Sequence, residues 1–173
     1  RLQFPNGICM VPDGQSFLFA ETWGCRVSRY WFEGPKKGKV EVVVADLPGY
    51  PDNINRASDG TFWLGIIGMR TPAFDLSQRM PGFRRRMAMQ VARDQWVFPN
   101  LNTGGVIKFD LDGCVLQSLW DGEGNRHPQV TSMREHKGWL YPGGIFNNRI
   151  GRIRLPDADQ TWTSFASYWE KGA

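Results

Sequence analysis

The sequence predicts an all-β fold, a β-propeller of three four-stranded blades with a helical insertion in the middle blade. Twenty Gly, eleven Pro and an aromatic content of 13% among 173 residues favour short strands joined by tight turns. Three segments share one layout, in which a strand, a hairpin turn and an aromatic-rich second strand follow one another; the turns contain Gly14, Gly60 and Gly138. A repeat of about 45 residues with four short strands is typical of a propeller blade.

The spacing of these turns predicts the domain organisation. Gly14 and Gly60 are 46 residues apart and Gly60 and Gly138 are 78 apart, so the second repeat carries an insertion at about 70–101. The predicted units are a blade at 1–47, a blade at 48–122 that includes the insertion, an incomplete blade at 123–156 and a tail at 157–173. Closed propellers have roughly four to eight blades. Three blades therefore need a further set, from a longer polypeptide or from a second copy of the chain.

The insertion contains a predicted helix at 83–95. Phe83, Met87 and Val91 recur at the spacing that places side chains on one helix face, and four arginines occupy much of the remainder. One interpretation is an amphipathic helix with a solvated basic face. Another is a lid over the central mouth of the propeller, whose arginines attract an anionic ligand. A helix that lies on a membrane surface is the third, although its apolar face is short.

The charge pattern and the lack of long apolar runs disfavour two classes of protein. The net charge of +4 comes from 21 Lys and Arg against 17 Asp and Glu, whereas a nucleic-acid-binding protein usually has a broader basic face. No apolar run approaches the roughly 20 residues of a membrane-spanning helix, and no signal-peptide pattern opens the chain. The first residue is Arg1, so we expect the chain to be a piece of a longer protein, and its compartment stays undetermined.

The three cysteines do not have the spacing of a zinc site. Buried free thiols are the favoured interpretation of Cys9, Cys25 and Cys114. A disulfide between Cys9 and Cys25 is the alternative if their strands are neighbours.

Three runs of residues carry a resemblance to a known family. Residues 29–38, 47–54 and 135–141 resemble, in the same order, motifs of plant strictosidine synthase and its relatives. The resemblance implies a six-bladed propeller of the broader group that includes gluconolactonases and paraoxonases. It also implies that this chain corresponds to the three C-terminal blades.

The same resemblance implies a calcium site and argues against strictosidine synthase chemistry. Calcium-dependent relatives hold Ca²⁺ with an Asn-Gly pair and an Asp-Asn pair at the starts of consecutive blades, where this chain has Asn6-Gly7 and Asp52-Asn53. The remaining ligands are implied to lie on other blades. The position of the acid/base glutamate of strictosidine synthase is occupied by Thr131, whose hydroxyl cannot transfer protons near neutral pH as a carboxylate can. Taken without the resemblance, Asn6, Asp52 and Asn53 are ordinary turn or strand-start residues.

These observations lead to a calcium-dependent hydrolase of a small lactone or ester as the leading hypothesis. Thr131, Phe83 and Met87 are predicted to line or cover the substrate pocket, and His127 is a weak catalytic candidate because it lies at a blade entrance. The general base is not identified. The alternatives are a non-catalytic half-propeller that binds a small molecule or forms a homodimer with a complete six-bladed ring, and, less favoured, a lyase that condenses an amine with an aldehyde.

Overall fold

The chain folds into three antiparallel sheets that follow the three predicted repeats, which confirms the propeller fold class. The structure, a computed structural model, describes residues 1–92, 103–145 and 147–164. Each sheet is a blade whose strands pair in chain order. Blade 1 consists of β1 (Pro5–Met10), β2 (Ser16–Glu21), β3 (Arg26–Trp31) and β4 (Val40–Val44). Blade 2 consists of β5 (Gly49–Arg56), β6 (Phe62–Met69), β7 (Gly104–Phe109) and β8 (Val115–Asp121). Blade 3 consists of β9 (Val130–His136), β10 (Trp139–Gly144) and β11 (Ile153–Arg154).

Blade 3 has three strands among the described residues, and the predicted incompleteness of this blade stays a prediction. The last of the three strands, β11, has only two residues. The described part of the tail returns to β9, where Lys137 N–H donates to the carbonyl of Trp162 at 2.9 Å and Thr163 forms a bridge with His136. The tail therefore lies beside the end of β9.

Side chains of β6 point alternately to its two faces and pack in both apolar cores, which joins the three blades. Leu64 and Ile66 belong to the apolar core shared with blade 1, whereas Trp63 belongs to the core shared with blade 3, together with Met133 and Leu140. Successive side chains of a strand point to opposite faces, so one strand contributes to both cores. All of these side chains are buried.

A buried carboxylate links blade 3 to blade 2. Glu135 on β9 is 0% exposed, and it accepts hydrogen bonds from Trp63 Nε1–H at 2.7 Å and from the Ser58 backbone N–H at 3.1 Å. Both donors belong to blade 2. Glu135 is therefore used to hold the blades together.

The described part of the insertion contains two helices, α1 (Pro72–Arg79) and α2 (Pro81–Gln90), where the sequence predicts one. The predicted helix at 83–95 starts two residues earlier and ends at Gln90, since Val91 is already extended; residues 93–95 lie outside the described residues. α1 begins at a cap, because the Thr71 side chain accepts from Phe74 N–H and Pro72 fills the first turn. Phe83 and Met87 on α2 are half-buried, as is Val91 just after it, while Arg84, Arg85 and Arg86 are exposed, as predicted.

The cysteines are all free thiols, so the alternative of a Cys9–Cys25 disulfide is wrong. Cys9 and Cys25 are buried as predicted, but Cys114 is exposed. Burial raises the pKa of the Cys25 thiol to about 11, so this thiol is not a nucleophile near neutral pH. None of the described helices has the length and apolar character needed to cross a bilayer.

Candidate functional site

The first strands of the three blades start at one end of the sheets, and the predicted site residues meet there. Asn6 lies at the start of β1, Asp52 and Asn53 near the start of β5, and Thr131 near the start of β9. The Asn53 side-chain amide donates to the Thr131 carbonyl at 3.0 Å, which connects blades 2 and 3. The Asn6 side chain hydrogen-bonds to Asp52, which connects blades 1 and 2. The structure therefore brings together all three predicted metal ligands and Thr131.

A glycine allows this close approach of β1 to β5. A Cβ atom on Gly7 would lie 2.4 Å from Asn53 Cα and 2.6 Å from the Asp52 carbonyl oxygen. These contacts are with backbone, which cannot move aside as a flexible side chain can. Gly7 thus sets the distance between the ligand pairs of blades 1 and 2.

The amide groups of Asn6 and Asn53 are oriented by hydrogen bonds. Asn6 Nδ2–H donates to Thr22 Oγ1 at 3.2 Å, and the Thr22 hydroxyl donates to the Pro51 carbonyl at 2.7 Å. Asn53 Nδ2–H also lies 3.3 Å from Asp52 Oδ1. Both nitrogens are donors in these bonds, so the side-chain oxygens of Asn6 and Asn53 are the atoms of the type that a cation takes as ligand. Thr22 is a site residue that the sequence analysis missed, since its partners are distant in sequence.

Asp52 is a buried carboxylate that has amide neighbours and, among the described residues, no compensating positive charge. It is 8% exposed, and none of the ion pairs of the described residues involves it. Burial raises the pKa of the Asp52 carboxyl to about 6, and the hydrogen bond from the Asn6 side chain offsets only part of this effect. A divalent cation beside Asp52 would supply the missing charge.

The donor set suits a hard cation but does not complete its coordination. One carboxylate and two amide oxygens are the ligand types that Ca²⁺ prefers, and Ca²⁺ takes six to eight of them. In the described ranges, no group of three or more His, Cys, Asp and Glu is arranged to hold a metal. Three side chains at one end of the sheets therefore fit as part of a calcium site, with other oxygens to come from water, substrate or further blades.

The position of Thr131 carries no acid or base. The Thr131 carbonyl is engaged by Asn53, and its side chain is half-buried. Glu135, four residues further on, is fully buried and bonded to Trp63, so it does not replace the missing glutamate. Among the described residues that meet here, none supplies the carboxylate that the resemblance implies for proton transfer in strictosidine synthase.

The helices of the insertion lie at the same end of the sheets as Asn6, Asp52, Asn53 and Thr131. β6 ends opposite the start of β5, with Gly49 paired to Met69, so the insertion leaves blade 2 at this end. Phe74 of α1 packs against Tyr50 with ring centroids 4.8 Å apart and against Trp23 at 6.4 Å. The basic character predicted for a lid is present on α2, which packs on α1.

A cleft lies between α1 and the 3-10 turn at Thr22–Gly24. It has a volume of about 120 Å³, and its lining is mainly polar: Gln3, Trp23, Gly24, Cys25, Arg70, Asp75, Gln78 and Arg79. Phe83 and Met87 do not line this cleft, so their role as a cover of the pocket stays a prediction.

His127 is placed by its backbone in the loop between β8 and β9. Its N–H and that of Arg126 donate to Asp121 Oδ2 at 2.6 and 2.7 Å. The His127 ring packs beside Gly151. No hydrogen bond joins His127 to Asp52 or Thr131 among the described residues, so the structure does not place it with the predicted metal ligands.

Replacement of Gly7 with Ala is expected to destabilise the protein by about 3 kcal/mol, because the added methyl group overlaps the backbone of β5. Urea unfolding of the variant measures this change. Gly82→Ala is the matched control, since a Cβ on Gly82 in α2 meets no other atom within 4 Å. A Gly7→Ala variant as stable as this control would contradict the close packing of β1 on β5.

The ion-free protein is expected to lose stability as the pH rises from about 4 to about 6. The pKa of Asp52 is about 6 in the folded state against 3.8 for the free group, so the folded state binds the proton more tightly. Protonation of Asp52 therefore stabilises the folded protein fully below the unfolded-state pKa. This stabilisation, up to about 3 kcal/mol, is lost as the pH rises through the folded-state pKa. Urea unfolding in chelator across this range measures it, and Asp52→Asn should lack this component. An equal slope in both proteins would contradict it.

The chain resembles known proteins in its fold and in its sequence. The fold class is a β-propeller: the chain superposes on a luciferin-regenerating enzyme with a TM-score of 0.57 at 13% identity, covering 92% of this chain and 47% of that one. A gluconolactonase from Xanthomonas campestris matches with a TM-score of 0.55 at 15% identity, over 90% of this chain and 39% of that one.

The sequence matches are more specific. The profile of the strictosidine synthase family matches residues 1–35. The chain is 41% identical to strictosidine synthase-like 13 of Arabidopsis thaliana, over 90% of this chain and 36% of the relative, and 33% identical to the adipocyte plasma membrane-associated protein of Danio rerio, over 90% and 38%. The chain is related in sequence to the strictosidine synthase-like family. It spans roughly two fifths of the length of the curated relatives it matches.

Proposed function

We propose that the chain contributes half of a six-bladed propeller that binds Ca²⁺ near its axis and hydrolyses a small lactone or ester. The observation that carries the proposal is the buried Asp52 carboxylate, which lies with two amide side chains at the meeting point of the inner strands. The shared fold with a gluconolactonase supports this reaction class. The partner implied is a small-molecule substrate.

In the proposed site, Asp52, Asn6 and Asn53 would hold the ion through their side-chain oxygens. A calcium ion held there would supply positive charge beside a substrate carbonyl group, which is the chemistry that favours attack by water. The chain's own residues orient the ligands: Thr22 fixes the Asn6 amide, and the Thr131 carbonyl fixes the Asn53 amide. Thr131 can offer its hydroxyl to a bound molecule, and the proposed role of Phe83 and Met87 is to cover it.

Turnover of simple lactones and aryl esters by the complete six-bladed ring, measured with calcium and with excess chelator, tests this proposal. We expect hydrolysis that is lost in chelator and restored by added calcium. Magnesium is the control ion, because it is smaller and demands near-octahedral geometry. Hydrolysis that is indifferent to chelator, or its absence on every lactone and ester with calcium, would contradict the proposal. The condensation of an amine with an aldehyde is the less favoured activity, because Thr131 replaces the required carboxylate.

A second candidate function is a binding or assembly module, and the outward face of blade 1 favours it. Ile8 and Val42 share one row of this face, and Val40 and Tyr30 share the next. Ile8 is 64% exposed and the two valines are about half exposed. An apolar sheet face of this kind is normally covered by another blade.

A homodimer with a closed ring would place this apolar face against blade 3 of the second copy. The outward face of blade 3 is cationic, since Arg134 and Arg154 are exposed there and the Arg154 and Arg152 guanidinium groups lie over Trp139. Burial of guanidinium groups against valines is costly without partners. Three blades of another kind would complete the ring better, with an apolar face against blade 1 and an acidic face against blade 3.

The solution mass of the chain, measured by light scattering with and without calcium, separates these possibilities. A dimer tightened by calcium and without turnover would support the assembly module. A monomer or mixed aggregate indifferent to calcium would exclude the homodimer.

A further inference from the structure

The cleft between α1 and the 3-10 turn at Thr22–Gly24 contains polar side chains that the fold does not use. Within the described ranges, four of the side chains that line it have no hydrogen bond or ion pair: Gln3, Trp23, Gln78 and Arg79. The cleft has a volume of about 120 Å³, somewhat less than an engineered cavity of about 150 Å³ that binds benzene. It is therefore large enough for a small organic molecule, to which several unused donors are available.

The lining of the cleft has an excess of positive charge. The guanidinium group of Arg70 is already engaged, since its Nε–H donates to Asp75 Oδ1 at 2.8 Å, and these two charges offset each other. The second guanidinium group, on Arg79, is exposed and has no carboxylate partner in the part of the chain that the structure describes. With two guanidinium groups and one carboxylate, the lining has a net charge of +1. A ligand with a single negative charge complements it.

The backbone around the cleft is strained. Cys25, which lines the cleft, has a φ angle of 46°, and Phe4, the neighbour of Gln3, has a φ angle of 57°. Asp46, which accepts a hydrogen bond from Arg70, has a φ angle of 50°. Positive φ angles are uncommon in residues other than glycine, and they concentrate at functional sites. Three of the five such residues in the described chain therefore surround this one cleft.

An exposed aromatic pair gives the cleft an apolar wall. The rings of Phe4 and Trp23 are stacked, with centroids 5.1 Å apart, and yet these residues are 52% and 40% exposed. Phe74 of α1 meets Trp23 edge-on with ring centroids 6.4 Å apart, which fixes the indole at the edge of the cleft. An indole ring offers an apolar body together with one N–H donor. The wall therefore suits a ligand that has a short apolar part next to its anionic group.

The charge, the donors and the size of the cleft together select a small carboxylate. A planar guanidinium group pairs with the two oxygens of a carboxylate through two parallel hydrogen bonds. The amides of Gln3 and Gln78 and the Trp23 indole N–H are additional donors. A phosphate monoester carries almost two negative charges at pH 7, which is more than the lining offsets. The volume limits the ligand to about six non-hydrogen atoms, the number in benzene.

We propose that this cleft binds a short-chain monocarboxylate, with the carboxylate on the Arg79 guanidinium group and the apolar end against Trp23. The site is independent of calcium binding and of hydrolysis, because none of the predicted metal ligands lines the cleft. It gives the insertion a role in ligand binding: α1 supplies Gln78 and Arg79, and the 3-10 turn of blade 1 supplies the opposite wall.

Proton–nitrogen NMR of the indole N–H groups, with propionate as the probe, tests the site. The sequence has eight tryptophans, so Trp23→Phe assigns the signal of Trp23. At constant ionic strength, propionate should shift this signal and saturate with a Kd of about 1–10 mM, as expected for so small a ligand. Propionamide, which has the same shape without the charge, should leave the signal unmoved. No saturable shift with propionate, or an equal shift with propionamide, would overturn the proposal. An equal shift with nitrate would assign the cleft to small anions in general and overturn the choice of a carboxylate.

Two arginine variants locate the bound carboxylate. Arg79→Gln removes the charged partner and should raise the Kd for propionate at least about tenfold, the effect of losing a charge-assisted hydrogen bond. Arg85→Gln is the matched control, because it removes the same charge from an exposed position of α2 that does not line the cleft. Both side chains are exposed, so both variants should keep the fold, which the other indole signals report. Equal Kd values for the two variants would assign the binding to the general positive field of the helices and overturn the site.

Discussion

Replacement of Asp52 with Asn is expected to abolish stabilisation by calcium and, at the same time, to make the ion-free protein more stable at neutral pH. The two effects have opposite signs because they have different causes. Without calcium, the ionised carboxylate is 8% exposed, and this burial opposes folding. With calcium, the same carboxylate is the only charged ligand among the three predicted ones.

The size of each effect can be estimated. Removal of the buried charge should add about 1–3 kcal/mol to the free energy of unfolding in chelator, since the pKa of Asp52 is raised from 3.8 to about 6. If calcium binds with a dissociation constant of about 1 mM, a tenfold excess adds about 1.4 kcal/mol to the wild type and nothing to the variant. Urea unfolding in chelator and in calcium measures both.

Asp157→Asn is the matched control for this experiment, because it removes the same charge from an exposed position in the tail. It should change neither the stability in chelator nor the response to calcium. If Asp52→Asn instead weakens the protein in chelator by more than Asp157→Asn does, Asp52 is a structural hydrogen-bond acceptor and not a metal ligand.

Replacement of Glu135 with Ala is expected to destabilise the protein by about 3–5 kcal/mol. The change removes the acceptor for Trp63 Nε1–H and for the Ser58 N–H, and it leaves two donors and a cavity between blades 2 and 3. Urea unfolding measures the loss. Glu123→Ala is the control, since Glu123 is exposed and accepts a hydrogen bond from the exposed Asn125. Equal stabilities of the two variants would show that Glu135 does not join the blades.

The regular spacing of the three repeats made the blades, and the meeting of Asn6 with Asp52, predictable from the sequence. Gly14, Gly60 and Gly138 have positive φ angles of 67°, 84° and 71°, which is the conformation that the hairpin pattern requires. Because Asn6 and Asp52 stand at equivalent places in successive repeats, their strands bring them to the same end. The topology accounts for their juxtaposition, whereas their choice as metal ligands came from the family resemblance.

Features that depend on contacts between distant segments were not predictable in this way. Thr22 orients Asn6 through the carbonyl of Pro51, and Gln129 meets Thr103 only because one loop packs on the start of β7. Neither contact leaves a local pattern. The first helix of the insertion is different, because Thr71 followed by Pro72 is a local pattern typical of a helix start. Only the apolar periodicity of residues 83–95 was used to predict a helix in the insertion.

Calorimetric titration of calcium into the protein tests the central claim most directly. The site has one carboxylate, so we expect one ion per chain with a dissociation constant near the weak end of protein calcium sites, about 0.1–1 mM. Binding should be lost in Asp52→Asn and kept in Asp157→Asn, and it should weaken below about pH 6, where the proton competes with the ion. No saturable binding up to about 10 mM calcium, or equal binding by wild type and Asp52→Asn, would contradict the account.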